Sequence, residues 1–219
     1  MSFFSVTVTG QIDTRISTTS IANTTSNTGQ IGYNSPSYYS VNLALALIHH
    51  ANHRKVVVSG LEDGLTQMAR ASTSTTFSQA MYSSGAFSRT CVWNFPIDVC
   101  FKSTNPFGWP QLVVCVYGLD EFGRDVVRGY GAVRLPLTAG RHVLYIPTVV
   151  PRATTPFNAF LSWATGRVPE YLDPNFIAQS KGREVTRVKS QGALKIVIDI
   201  ATKEIDKFGL QVSASSRRI

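Results

Sequence analysis

The chain has 219 residues, of which 43% are hydrophobic and 16% charged, and its formal net charge is +8. This composition excludes an intrinsically disordered chain and fits one large globular domain. The charge is uneven, because residues 1–90 carry five Lys or Arg against three Asp or Glu, whereas residues 91–219 carry sixteen against ten. The excess in the second part favours an acidic partner or an anionic membrane surface, and a solubilising surface is the alternative.

The amino-terminal part of the chain alternates between strand patterns and polar segments. Residues 3–9, FFSVTVT, alternate apolar with hydroxyl side chains and predict a strand. Residues 14–40 are rich in Ser, Thr, Asn and Gly, which predicts a loop or a partly disordered insertion. Residues 41–48, VNLALALI, have the period of a strand and the composition of a helix; we favour a strand that pairs with HRKVVV, residues 53–58. Residues 71–90 are again low in complexity and predict an exposed excursion.

From residue 91 onward, short apolar runs alternate with turn sequences such as LDEFGRD and TAG. This pattern predicts an all-β fold, an antiparallel β-sandwich of about eight strands. The sequence LTAG before RHVLYIP is typical of a tight hairpin turn. The expected strands cover 91–101, 111–118, 129–137, 141–147 and 192–201. The segment FNAFLSWATG is compatible with one helical turn or with another strand.

An aromatic stretch, WNFPIDVCFKSTNPFGWPQ, occupies residues 93–111. Because proline cannot donate a ladder hydrogen bond, we expect this strand to lie at a sheet edge or to carry a bulge at Phe95–Pro96. We expect Trp109, which follows the turn STNPFGWP, to pack back on the sheet. The alternative is a partner-binding edge formed by the aromatic side chains of Trp93, Phe95, Phe107 and Trp109.

The residues do not suggest an enzyme, a metal site or a bound cofactor. The three cysteines, Cys91, Cys100 and Cys115, form no C-x-x-C pair, so we expect reduced, mostly buried thiols. Three histidines within residues 49–54 have no Cys or carboxylate close by, which favours a solvated loop. The sequence contains no G-x-S-x-G or H-E-x-x-H motif and none of the D-x-D pairs of a calcium-binding sandwich.

The clearest charge feature is KGREVTRVKS, residues 181–190. In a strand, Arg183, Arg187 and Lys189 would share one face, with Lys181 close by. Such a row suits the phosphates of lipid headgroups or an acidic protein surface, and a solvated strand face is the alternative. Nucleic acid is not an expected partner, because the aromatic residues are not interleaved with this row.

The amino terminus, MSFFSVTVTGQ, has neither the basic start nor the apolar run of a signal peptide. The longest apolar run, residues 43–48, is far too short to span a bilayer. We therefore expect a soluble protein that reaches a membrane peripherally or through a partner.

Several runs of the sequence resemble the B9-domain proteins of the ciliary transition zone. They are VWNFPIDVCFKSTNPFGWPQLVVCVYG, FGRDVVRGYGAVRLPLTAGRH, PEYLDP and GREVTRVKSQG, with weaker likeness at FFSVTVTGQI and GLEDGLTQMA. The resemblance implies a C2-type β-sandwich, and we expect a single domain over 1–210 with a short basic tail at 211–219. Segments 14–55 and 71–90 depart from the family pattern because they look expanded and low in complexity, and we expect loops or partly disordered insertions at 14–40 and 71–90. The resemblance implies no catalytic residues.

The resemblance also implies a place and partners. Members associate with other B9-domain proteins and with membrane-anchored transition-zone proteins on the cytoplasmic side of the ciliary base. Their assembly, the Meckel-syndrome (MKS) module, helps to link axonemal microtubules to the ciliary membrane, gates protein entry and supports cilium assembly. Two hypotheses follow: a non-enzymatic scaffold of that module, or a stand-alone, calcium-independent module that binds anionic lipid through the basic row.

Overall fold

A computed structural model describes the chain as strands with few helices. The described residues are 4–13, 38–46, 55–60, 62–73, 89–104, 109–119, 123–165, 167, 169–179 and 185–208. The strands are β1 (Phe4–Ile12), β2 (Tyr38–Ala46), β3 (Lys55–Gly60), β4 (Asp63–Leu65), β5 (Ala69–Arg70), β6 (Ser72–Thr73), β7 (Arg89–Thr90), β8 (Phe95–Ser103), β9 (Gln111–Leu119), β10 (Asp125–Arg134), β11 (Gly140–Pro151) and β12 (Val188–Lys203). The helices are α1 (Pro156–Thr165) and two 3-10 helices, η1 (Pro174–Ala178) and η2 (Ile205–Phe208).

Ten of the described strands form one antiparallel sheet that curls into two packed layers. The first layer has the order β3-β8-β1-β12-β11, and the second continues as β10-β9-β2-β4, with β5 also paired to β2. Eight of the described strands have six or more residues, and the other four are pairs or triplets. The prediction of an all-β, C2-like sandwich is therefore confirmed.

The core lies between the two layers because each long strand is apolar on its inner face. In β1, Phe4, Val6, Val8 and Ile12 are buried, whereas the threonines between them point the other way. In β12, Leu194, Ile196, Ile198 and Ile200 alternate in the same manner. The second layer contributes Val41, Leu43, Leu112, Val114 and Val116 to the same cluster. Alternation in the sequence thus translates directly into two facing apolar surfaces.

The two layers meet at the seam between β10 and β11. The described register of this strand pair contains one pair of partners, Tyr130 and Val149. A Cβ atom added to Gly131 would lie 2.7 Å from the side chain of Ile146 and 3.0 Å from the carbonyl oxygen of Pro147, so glycine lets β10 approach β11 this closely. The expected tight hairpin was wrong: five residues, 135–139, separate the two strands, which diverge into different layers.

The expected pairing of the strand at 41–48 with HRKVVV was also wrong. Strand β2 pairs with β9 in the second layer, whereas β3 pairs with β8 at the edge of the first layer. The two strands are joined through residues 47–54, outside the described residues. Closeness in sequence favours a hairpin, but each strand instead places its inner apolar side chains against the opposite layer.

The expectations for the proline-containing strand were wrong: β8 is not an edge strand, because it lies between β1 and β3 in the sheet. The register between β1 and β8 runs without a break from Phe4–Ser103 to Ile12–Phe95, so the alternative of a bulge was wrong. Strand β3 pairs with β8 over Val99–Ser103 and does not reach Pro96. In the described pairings, Pro96 therefore has a partner only in β1, where it lies opposite Gln11.

The expected insertions and tail lie largely outside the described residues. Tyr38–Ser40 belong to β2, so this strand begins within the segment expected to be a loop. In the second insertion, Ser72–Thr73 pair with Arg89–Thr90 to form a small separate sheet. Residues 14–37, 74–88 and 209–219 are not described, and the expectations for them stay predictions.

Candidate interaction surfaces

Of the four aromatic candidates, Trp109 lies in the core. It is 5% exposed, stacks on Phe4 with ring centroids 6.2 Å apart, and meets Phe101 edge-on at 6.3 Å. Its indole Nε1 is buried without a hydrogen-bond partner in the part of the chain that the structure describes. The prediction that Trp109 packs back on the sheet is confirmed, and a binding partner could touch only its small exposed remainder.

Trp93 and Phe95 connect the two layers at the start of β8. Both side chains are half-buried against the core cluster. The indole Nε1 of Trp93 donates a hydrogen bond of 2.9 Å to the carbonyl oxygen of Tyr39 in β2. A Cβ atom added to Gly64 of β4 would lie 2.9 Å from two ring atoms of Phe95. Their role as partner contacts stays a prediction, as does that of Phe107, which lies outside the described residues.

The basic row is only partly described. Lys181 and Arg183 lie outside the described residues, whereas Arg187 and Lys189 are exposed. The expected strand was wrong at its start, because β12 begins at Val188. The carbonyl oxygen of Arg187 accepts a hydrogen bond of 2.9 Å from the N–H of Arg152, which links the two ends of the long β11–β12 connection. Val185, the apolar residue between the basic residues of the row, is exposed and does not pack into the core.

A segment of the β11–β12 connection covers the outer face of the second layer. The N–H of Tyr171 donates a hydrogen bond of 3.3 Å to the Tyr130 hydroxyl oxygen, and the two rings meet edge-on at 5.0 Å. Asp173 caps η1 by accepting a hydrogen bond from the N–H of Asn175 at 2.9 Å. Ile177, in η1, is buried against Tyr130 and Cys115. Both faces of β9 are therefore buried.

This cover was not expected from the sequence. The available signal was the run QLVVCVYG, because an uninterrupted apolar run without alternation is typical of a strand buried on both faces. An apolar groove of about 260 Å³ lies beside the cover, and Tyr130, Val149, Tyr171, Phe176 and Val188 are among the residues that line it. The segment that contains Tyr171 and η1 therefore leaves part of the outer face of the second layer open where β10 meets β11.

Burial raises the pKa of four described side chains, of which the Tyr117 hydroxyl is one. It raises the pKa of the Cys91 and Cys115 thiols to about 11 each, and the pKa of the Tyr130 hydroxyl to about 12. A thiol with such a pKa stays protonated at neutral pH and is a poor nucleophile. The prediction of reduced, mostly buried cysteines is confirmed, since all three are free, Cys91 and Cys115 are buried, and Cys100 is half-buried.

Helix α1 carries exposed apolar side chains and no charge. Its sequence, PFNAFLSWAT, has no charged residue. Phe157, Phe160 and Leu161 are 71%, 62% and 48% exposed. At positions i, i+3 and i+4 these three side chains lie on one face of the helix. The helix therefore presents an apolar surface to whatever lies outside the sandwich.

The described residues contain neither a cluster of metal ligands nor a membrane-spanning helix. Within these residues, no three His, Cys, Asp or Glu side chains lie close enough together to hold a metal ion. The histidines of residues 49–54 lie outside them. Among the described helices, none has the length and apolar character needed to cross a membrane.

The fold thus defines a C2-like β-sandwich, and its candidate sites are surfaces that expose apolar and basic side chains. A family model described as "Ciliary basal body-associated, B9 protein" matches residues 28–201. The chain belongs to this B9 family, which is a ciliary structural family and not a known enzyme family. The family places the protein at the base of the cilium.

Curated relatives agree with this assignment. The chain is 53% identical over 151 residues to B9 domain-containing protein 1 of Mus musculus, covering 69% of this chain and 68% of the mouse protein. It is 50% identical over 157 residues to B9 domain-containing protein 1 of Homo sapiens, covering 72% of this chain and 71% of the human protein. It is also 26% identical over 121 residues to B9 domain-containing protein 2 of Xenopus laevis, covering 55% of this chain and 68% of the Xenopus protein.

Proposed function

We propose that this B9 protein is a non-enzymatic scaffold of the MKS assembly at the ciliary transition zone, where it supports cilium assembly and the gating of protein entry. Family membership supports the ciliary setting. The observation that carries the scaffold role is the sandwich itself: one outer face is covered by the chain's own connection, while apolar side chains stand exposed on the other surfaces.

Exposed apolar side chains suit the binding of partner proteins. In β3, the terminal strand of the first layer among the described residues, Val56 and Val58 are about half exposed. In β11, Val143 and Tyr145 stand exposed on the outer face of the same layer. An edge strand can accept a strand of a partner, and exposed apolar side chains supply area that is buried on binding. The proposed partners are other B9-domain proteins and membrane-anchored transition-zone proteins.

A second candidate function is stand-alone binding of anionic lipid without calcium. The exposure of Arg187 and Lys189 at the start of β12 favours it. Each basic residue near an anionic surface contributes about 1 kcal/mol. The two functions are compatible, since a scaffold at the ciliary base works close to a membrane.

The scaffold function is tested by expressing the tagged full chain in ciliated cells. We expect the protein to concentrate at the transition zone and to recover other B9-domain proteins on affinity purification. A matched variant, Trp109→Ala, removes a core side chain and is expected to lose both properties together. Even distribution of the wild-type protein through the cytosol, with no B9 protein recovered, would contradict the proposal.

A further inference from the structure

Helix α1 is presented at the surface as a preformed element. Ten residues are too few for a stable isolated helix in water, so the ends of α1 need support. The Thr155 hydroxyl accepts a hydrogen bond of 3.3 Å from the N–H of Asn158, and the Arg124 guanidinium donates one of 2.8 Å to the carbonyl oxygen of Thr165. In the described part of the chain, no strand packs extensively against α1. The helix is thus held by its ends while its apolar face stays exposed.

Exposed arginines lie near both ends of this helix, and the exposed carboxylates next to them in sequence are Asp125, beside Arg124, and Glu170, three residues after Arg167. No Asp or Glu occurs between Asp125 and Glu170, an interval that contains five arginines. Arg152 lies four residues before the helix and Arg167 two residues after it, and both are exposed. The backbone hydrogen bond between Arg152 and Arg187 brings a further exposed arginine to the same place. An uncharged aromatic helix is therefore bordered by cations, and no carboxylate occurs in the sequence interval that contains it.

We propose that α1 is an interfacial helix that inserts Phe157 and Leu161 into an anionic lipid bilayer. Apolar side chains on one face, combined with neighbouring arginines, are the features of helices that lie in the headgroup region of a membrane. The helix is about 15 Å long, too short to span the hydrocarbon region. The arginines would meet lipid phosphates while the two apolar side chains enter the acyl boundary. This inference goes beyond the proposed scaffold role and does not depend on it.

The charge around the helix favours lipid over a protein partner as the occupant of this face. An anionic bilayer offers negative charge all around the inserted helix, so every flanking arginine meets counter-charge, whereas a protein groove supplies it only where it carries a carboxylate. Insertion also removes apolar area from water without requiring a complementary shape. Binding should therefore depend on both the apolar side chains and the anionic lipid.

The test uses the purified full chain and vesicles of phosphatidylcholine with or without phosphatidylserine. We expect sedimentation with the phosphatidylserine vesicles, weaker at high salt, and at least about a tenfold loss of affinity for the double variant Phe157→Ser, Leu161→Ser. The matched control, Val143→Ser with Tyr145→Ser, alters exposed side chains on the outer face of β11 and is expected to bind as the wild type does.

A second readout reports insertion directly. An environment-sensitive fluorophore attached at Phe157→Cys, in a Cys100→Ser background, is expected to shift to the blue when phosphatidylserine vesicles are added. Equal thermal melting of all variants will show that folding is intact. The proposal is overturned if the wild type does not bind these vesicles, or if the helix variant binds them unchanged. Loss of a B9 partner from the helix variant, without any vesicle binding by the wild type, also overturns it while leaving the scaffold role in place.

Discussion

Replacing Trp109 with alanine is expected to lower the free energy of unfolding by about 3–5 kcal/mol. The indole packs at one end of the core against the inner side chains of β1 and β8, stacked on Phe4 and edge-on to Phe101. Its removal loses the burial of a large aromatic side chain and leaves a cavity that the two flanking strands cannot close, because they are held in register along nine residue pairs. Urea denaturation followed by circular dichroism measures the change.

Trp109→Phe is the informative companion variant. It keeps an aromatic ring in the stack and removes the buried indole N–H, which has no partner among the described residues. Removing the unsatisfied N–H donor stabilises the folded state and offsets part of the stability lost with the smaller side chain. The expected decrease in the free energy of unfolding is therefore about 1 kcal/mol. A cost for Trp109→Ala as small as that for Trp109→Phe would show that this side chain is not part of the core.

A rise of pH from 8 to 10 is expected to destabilise the protein by about 1 kcal/mol for each of the two buried thiols. Burial raises the pKa of Cys91 and Cys115 from 9.0 to about 11. A folded state that holds protons more tightly than the unfolded state keeps its full stability below pH 9 and loses it as the pH rises towards 11. Burial also raises the pKa of Tyr130, to about 12, so ionisation of this hydroxyl extends the loss of stability above pH 10.

The measurement is the urea midpoint of the wild type and of Cys115→Ala at pH 8 and pH 10. The variant loses some stability at both pH values, but its drop between them is expected to be smaller by about 1 kcal/mol. Cys100→Ala controls for the removal of a thiol as such, since Cys100 is half-buried and lies outside the covered face of the second layer. Identical drops in the wild type and Cys115→Ala would contradict the burial of this thiol.

Strands with one apolar face could be predicted from the sequence. In β1 and β12 the apolar and polar side chains alternate because one face meets the core and the other meets solvent. The choice of partner strand could not be predicted in this way. The inner side chains of β2 and β3 are compatible with either layer, and only the packing of the whole sandwich places β2 beside β9 and β3 beside β8.

Two local signals in the sequence indicate features that the apolar pattern of strands and turns does not. Thr155 followed by Pro156 is a common start of a helix, because threonine caps the first turn and proline tolerates the first position. That signal indicated α1, where the pattern of apolar residues alone left helix and strand open. The unbroken apolar run of β9 similarly indicated a strand with both faces covered.

The candidate residues were predictable to different degrees. The packing of Trp109 followed from the turn before it, because a large apolar side chain next to a strand returns to the core. The hydrogen bond of Trp93 to Tyr39 joins residues 54 positions apart, and no local pattern encodes such a contact. Of the basic row, residues 185–187 are not in a strand and Val185 is exposed there, whereas Lys189 belongs to β12.

We propose that the chain acts by binding, as one subunit of an assembly of B9 proteins. The most direct measurement is size-exclusion chromatography with light scattering after co-expression with B9 domain-containing protein 2. We expect a single species whose mass is the sum of whole-number copies of the two chains. Two separate peaks, each with the mass of one protein alone, would contradict the claim.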